Sequence, residues 1–161
     1  MALKDFGITV DKAQTERFDA DFSERQKRFD LIEGAKDYMK QLIETGYRVG
    51  IITNGPEDYQ WNKIRGLELD RMIPEDRIFI SGALGIAKPD PEIFAYANRK
   101  TGTEAQASLY IGDAMEKDIA GALAAGWQAY WFNPLGLQPS TEHQPHFEFS
   151  SYAQIMQRSL F

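Results

Sequence analysis

The sequence predicts an α/β fold, a doubly wound parallel sheet of the Rossmann-like kind, and three observations carry that expectation. Short runs rich in β-branched and aromatic residues alternate with helical stretches of about ten residues. Each run is cut off by a turn signal, and each helix is long enough to serve as the right-handed crossover that parallel strands require. The chain of 161 residues is also long enough to make its own core, because a domain of this size buries roughly 70% of the surface its unfolded form exposes.

Taken in order, residues 11 to 29 are polar apart from Phe18, Phe22 and Phe29, the one-sided stripe of an amphipathic helix with Asp11 as its N-cap. A second helix is expected from Gly34 to Thr45, where Ala35, Met39, Leu42 and Ile43 share a face and Gly46 can close the end in a left-handed conformation. The strand Tyr47 to Ile52 follows and stops at the turn Thr53-Asn54-Gly55-Pro56. The pattern then repeats: helix Glu57 to Leu67, strand Arg77 to Ser81, a Gly/Pro loop from Gly82 to Pro91, and a helix to about Thr101. Ser108 to Ile111 is the next strand, Asp118 to Ala125 a helix ended by Gly126, and Gln128 to Phe132 a further strand. Asn133 to His146 holds three prolines and both histidines and reads as a loop, ahead of a short strand Phe147 to Phe149 and a helix from Tyr152. One domain spans 1–161, with a helical segment 1–33 ahead of a core 34–161.

Charge and composition narrow the function. With 18 Lys and Arg against 24 Asp and Glu the net charge is −6, and the basic residues form no cluster, so nucleic acid is not an expected partner. The absence of cysteine excludes thiol nucleophiles, disulfides and thiolate metal sites. No apolar run approaches the ~20 residues of a membrane helix, and the Met1-Ala2-Leu3-Lys4-Asp5 start lacks the apolar stretch of a signal peptide, so no membrane partner and a cytoplasmic location are expected. His143 and His146 lack a third ligand and a general base between them, so they read as loop residues. Trp127, Tyr130, Trp131 and Phe132 read as core.

In a parallel sheet the reactive groups collect at the carboxyl ends of the strands, beside helix N-termini that attract anions. Three exits carry suitable residues: Thr53-Asn54-Gly55 after the first strand, Lys88 in the loop after the second, and Gly112-Asp113 with Asp118 after the third. Each alone has a bland reading, as a turn, a solvated charge or a helix cap. Together they supply hydroxyl and amide donors, one ammonium and a carboxylate pair, a set suited to a phosphoryl group. Thr53, Asn54 and Gly55 can donate to phosphate oxygens, Lys88 can neutralise charge, and Asp113 can bind Mg²⁺. Asp118 can orient Lys88 or simply sit in a first helical turn, where the macrodipole favours a negative charge.

The runs IITNG, AKPDPEIF and YIGDAMEKDIAGALAAG, in that order between Tyr47 and Gly126, resemble the haloacid dehalogenase superfamily of phosphohydrolases. The resemblance implies a Mg²⁺-dependent phosphatase acting on a small phosphorylated metabolite, with Thr53, Lys88 and Asp113 catalytic and Gly112 and Asp118 supporting. It also implies that 1–33 is the helical remnant of a cap. The family's first motif, an Asp nucleophile in Asp-x-Asp-x-Thr at a central strand end, is the departure. Asp19-Ala20-Asp21 lies on the phenylalanine stripe of a helix and is rejected; Ile8-Thr9-Val10-Asp11 leaves Asp11 as the one candidate, although Gly7 to Asp11 also resembles a turn between two cap helices. The resemblance therefore implies that the nucleophile strand is missing from its place between the strands ending at Thr53 and Gly112. Those two strands then pair directly, or the N-terminal segment fills the slot, or a second copy does so in a homodimer. The competing reading is a catalytically silent member that binds phosphate ligands or partners.

Overall fold

The computed structural model describes residues 29–158, so the predicted helix before Phe29, and Asp11 with it, lie outside the described residues. The chain divides into two compact units, 1–30 and 31–161, and the second is the α/β unit described below. Among the described residues no helix is long and apolar enough to cross a membrane.

Among the described residues five short strands form, all parallel to their neighbours. β1 (Ile51–Thr53) pairs with β2 (Ile78–Ile80), Ile52 opposite Phe79. β3 (Leu109–Gly112), β4 (Gln128–Phe132) and β5 (Phe147–Phe149) form a second ladder in that order, Ile111 opposite Tyr130 and Trp131 opposite Glu148. The parallel doubly wound class is as expected, but the described residues form two separate ladders. Among the described residues β1 and β3 do not pair directly.

Helices on both faces hold the two pieces together. On one face lies α1 (Ala35–Glu44), starting after Gly34 at φ 79°, a left-handed conformation that glycine adopts without strain. Its Tyr38 and Leu42 pack with Leu109, Ile111, Tyr130 and Phe149, while Met39, one position along, packs with Ile51, Ile78 and Ile80. α2 (Glu57–Gly66) joins the latter cluster through Ile64. The opposite face is covered by α3 (Pro91–Thr101), which buries Ile93, Phe94 and Ala97 against Ile52, Phe79, Ala129 and Trp131. Asp90 caps α3 by accepting the Glu92 N–H at 2.9 Å, and Pro91 takes the first helical position, where no N–H is needed. The expected aromatic core is present: Tyr130, Trp131 and Phe132 are buried, and Trp127 packs against the α3 cluster.

Some boundaries differ from expectation. The first strand starts at Ile51 rather than Tyr47, because β2 begins only at Ile78 and Glu75–Arg77 form a 3₁₀ turn, leaving residues 47–50 no ladder on that side. Ser81 does not end β2. It opens a single helical turn, Ser81–Leu84, inside the expected Gly/Pro loop, closed by Gly85 at φ 69°. The helix expected from Asp118 is a π-helical turn, Met115–Ile119, leading into α4 (Ala120–Ala124). The helix expected from Tyr152 is only a 3₁₀ turn, Tyr152–Gln154, held by a capping box between Ser151 and Gln154.

Candidate functional site

β1 delivers Thr53 to the carboxyl edge, where its hydroxyl donates to Gln60 Oε1 at 2.9 Å; Gln60, buried in α2, donates in turn to the Asn54 carbonyl at 3.0 Å. The turn is narrow by composition. A Cβ on Gly55 would stand 2.5 Å from Gln60 Nε2, and Gly55, at φ 143°, donates its N–H to Ser81 Oγ at 2.9 Å.

Asn54 then clamps the loop that carries the ammonium. Its Nδ2 donates to the Lys88 carbonyl at 2.8 Å and its Oδ1 accepts the Lys88 N–H at 3.0 Å, so one side chain satisfies both main-chain groups of Lys88. The Lys88 ammonium, with its side chain 10% exposed, lies 2.7 Å from Asp118 Oδ1 and 2.6 Å from the Tyr110 hydroxyl. Tyr110 donates onward to the Ile52 carbonyl at 2.9 Å, which ties β3 to β1 through a side chain. Burial, followed by the negative charges of Asp118 and Asp113, pushes the Tyr110 hydroxyl well above its ordinary value and keeps it a donor.

Asp118 is the hub of the third exit. One oxygen faces Lys88 while the other accepts the N–H groups of Asp113 at 3.2 Å and Ala114 at 3.0 Å. The π turn makes this possible, since the wide turn begun at the Ala114 carbonyl brings residue 118 back over the strand end. Gly112 is required beneath it: a Cβ there would lie 2.4 Å from the Asp118 Cβ. Asp113 itself is exposed, and its main chain is anchored where Trp131 Nε1 donates to its carbonyl at 3.0 Å.

One hydrogen-bonded path therefore runs from Thr53 through Gln60, Asn54, Lys88 and Asp118 to the Asp113 N–H. Sequence reasoning missed Gln60, Ser81 and Tyr110. Gln60 and Ser81 carry no spacing signal, and Tyr110 reads as one more apolar strand residue; only its place two residues before Gly112 hinted that its tip could reach the strand ends. With Asp118 committed to Lys88 and two amides, Asp113 is the free carboxylate of this cluster, and no group of three acidic or histidine donors occurs among the described residues. A single carboxylate fits Mg²⁺ as one ligand of a site that a phosphate and waters complete.

Residues 1–132 match the model of the haloacid dehalogenase-like hydrolase family. The chain is similar to the glyceraldehyde 3-phosphate phosphatase of Pyrococcus abyssi, 40% identical over 101 residues, which cover 63% of this chain and 42% of the relative. It is also similar to the phosphoserine phosphatase of Thermus thermophilus, 33% identical over 138 residues, 86% of this chain and 53% of the relative. The chain thus spans about half the length of these curated relatives. Among solved structures, the HAD-hydrolase YfnB of Bacillus subtilis bound to magnesium superposes with a TM-score of 0.78 at 29% identity, covering 94% of this chain and 65% of that one.

Proposed function

Because the chain belongs to the haloacid dehalogenase-like hydrolase family, we propose that the strand-end cluster binds the phosphoryl group of a small phosphate monoester and belongs to a Mg²⁺-dependent phosphohydrolase. The Lys88 ammonium carries this reading: a nearly buried cation held on a rigid mount by Asn54, Asp118 and Tyr110, at the edge where Thr53 and Asp113 emerge. Asp118 and Tyr110 take two of the three donors of this ammonium, which leaves one for a phosphate oxygen.

In this proposal Thr53 turns its hydroxyl from Gln60 to a phosphate oxygen, and the Asn54 and Gly55 segment offers main-chain donors beside it. Lys88 neutralises a second oxygen, and Asp118 and Tyr110 hold the ammonium in position. Asp113 would hold Mg²⁺, which when bound supplies charge neutralisation at the phosphate oxygens. The reading that the nucleophile strand is absent concerns residues beyond those described. On the sequence reading that leaves Asp11 as the one candidate nucleophile and the nucleophile strand missing, turnover by this chain is expected to be slow, because losing a covalent nucleophile costs several powers of ten in rate.

Support for the substrate class comes from the relatives, a glyceraldehyde 3-phosphate phosphatase and a phosphoserine phosphatase. The test is release of inorganic phosphate from glyceraldehyde 3-phosphate, phosphoserine and an aryl phosphate with Mg²⁺, alongside phosphate binding by calorimetry. Saturable binding lost in Lys88→Ala, with slow release abolished by Asp113→Asn, is the expected result. Neither binding nor release, with Asp113→Asn indistinguishable from the parent chain, would overturn it.

A further inference from the structure

We propose that Gln60 is a positioning residue that withholds the Thr53 proton from the strand-end cluster until an anion outcompetes it, and so limits how tightly the cluster takes a phosphoryl group. This rests on the phosphate reading above and deepens it.

Chemistry fixes which way the Gln60 amide faces. Its nitrogen stands 3.0 Å from the Asn54 main-chain carbonyl, a group that can only accept, so the donating end must point there. The amide oxygen is then the end that meets the Thr53 hydroxyl, at 2.9 Å, and it too can only accept. Thr53 is therefore the donor. A hydroxyl has one proton, and this is the one hydrogen bond that the Thr53 hydroxyl makes among the described residues. What Thr53 turns to the site is then lone pairs, which have the wrong sign for a negatively charged phosphate oxygen.

Gln60 has little room to yield. It is 7% exposed and sits in the first turn of α2, inside the curve of residues 53–55. Gly55 borders it so closely that a Cβ there would lie 2.5 Å from the amide nitrogen. Gly55 is itself held from its far side, donating to Ser81 Oγ at 2.9 Å and accepting the Gly82 N–H at 3.1 Å. A Cβ on Gly82 would come within 2.6 Å of the Gly55 carbonyl oxygen, so the short helical turn Ser81–Leu84 presses on the same curve. The amide is gripped between α2 and that turn.

When the Thr53 hydroxyl swings to a phosphate oxygen, the Gln60 oxygen is left buried without a donor, and a buried acceptor stripped of its partner is costly. That cost opposes every anion the site takes up. Gln60 thus has two effects of opposite sign. Its nitrogen stabilises the turn by satisfying the Asn54 carbonyl, while its oxygen weakens anion binding by competing for the Thr53 proton. A residue with a purely structural role has only the first.

The experiment is calorimetric titration of the full 161-residue chain and its variants with inorganic phosphate, beside their urea midpoints. Gln60→Met keeps the side chain's length and removes both amide groups. It is expected to bind phosphate about fivefold tighter than the parent although its urea midpoint falls. In a Thr53→Val background there is no proton to withhold, and the same Gln60→Met change should leave the affinity where it was. Gln60→Leu, apolar and shorter, carries the same comparison if the Met variant does not fold. Affinity in the Gln60 variant equal to or below the parent's overturns the proposal, and so does an equal gain in the Thr53→Val background. Two failures are distinguishable: no phosphate binding by the parent or any variant removes the phosphate reading and this inference with it, whereas binding by the parent that is lost in Lys88→Ala, with the Gln60 variant no tighter, removes this inference alone.

Discussion

Asp118 Oδ1 lies 2.7 Å from the Lys88 ammonium while Oδ2 of the same carboxylate accepts two main-chain N–H groups, so one buried acid orients the cation and closes the turn after β3. Asp118→Ala removes all of this at once. Leaving Lys88 uncompensated, with its side chain 10% exposed, should cost about 3–5 kcal/mol, read as a lowered urea midpoint, and Lys88→Met/Asp118→Leu should cost less than Asp118→Ala alone. Equal stability of Asp118→Ala and the parent chain would show that the pair contributes nothing.

Gly112→Ala forces the same carboxylate to move without touching any charge. Its new Cβ would lie 2.4 Å from the Asp118 Cβ, which is no flexible tip, so a loss of about 1–3 kcal/mol is expected together with weaker phosphate binding. Gly46→Ala, whose Cβ meets nothing within 4 Å, separates crowding from conformation, since only its φ of 92° opposes the substitution.

Asn54→Ala leaves the Lys88 main chain without the side chain that satisfies its N–H and carbonyl. A loss of about 2 kcal/mol is expected from two such bonds, and the affinity for phosphate should fall more than the stability does, because the loop carrying the ammonium is released. Calorimetry with inorganic phosphate compared with thermal unfolding checks the order of the two effects.

Alkaline pH should unfold the protein through its buried tyrosines. Burial pushes the Tyr38 hydroxyl up to about 12, with smaller contributions from neighbouring tyrosines, and raises Tyr110 and Tyr152 as well. A folded-state value above the ordinary 10 means the unfolded chain releases its protons first. Stability is therefore full below pH 10 and falls as pH climbs above it. Tyr38→Phe removes a hydroxyl with no partner, so it should leave stability at pH 7 unchanged or slightly raised and make the loss above pH 10 shallower, measured by denaturant midpoints across pH.

The order of elements was legible because it rests on local signals: apolar runs of strand length, the turn Thr53-Asn54-Gly55-Pro56, and the helix-ending glycines Gly46 and Gly126. Residue types at the three strand exits were legible for the same reason, as Thr53, Lys88 and Gly112-Asp113 each follow a recognisable strand. The shortened β1, the helical turn at Ser81 and the π turn were not. A strand's length depends on which neighbour offers a ladder, and the π turn depends on an Asp118 carboxylate finding two main-chain donors and a cation brought from 30 residues away.

Local periodicity and turn chemistry, read along the chain, were enough to specify a parallel α/β fold and to mark which strand ends carry hydroxyl, ammonium and carboxylate. Only the folded molecule decided that Tyr110 and Gln60 join them, that Asp118 is spent on Lys88 while Asp113 stays exposed, and that among the described residues β1 and β3 belong to separate ladders. The reason is distance: hydrogen bonds spanning 58 residues, such as Tyr110 to Ile52, arise from how α1 and α3 pack across both ladders, and no window of sequence contains both partners.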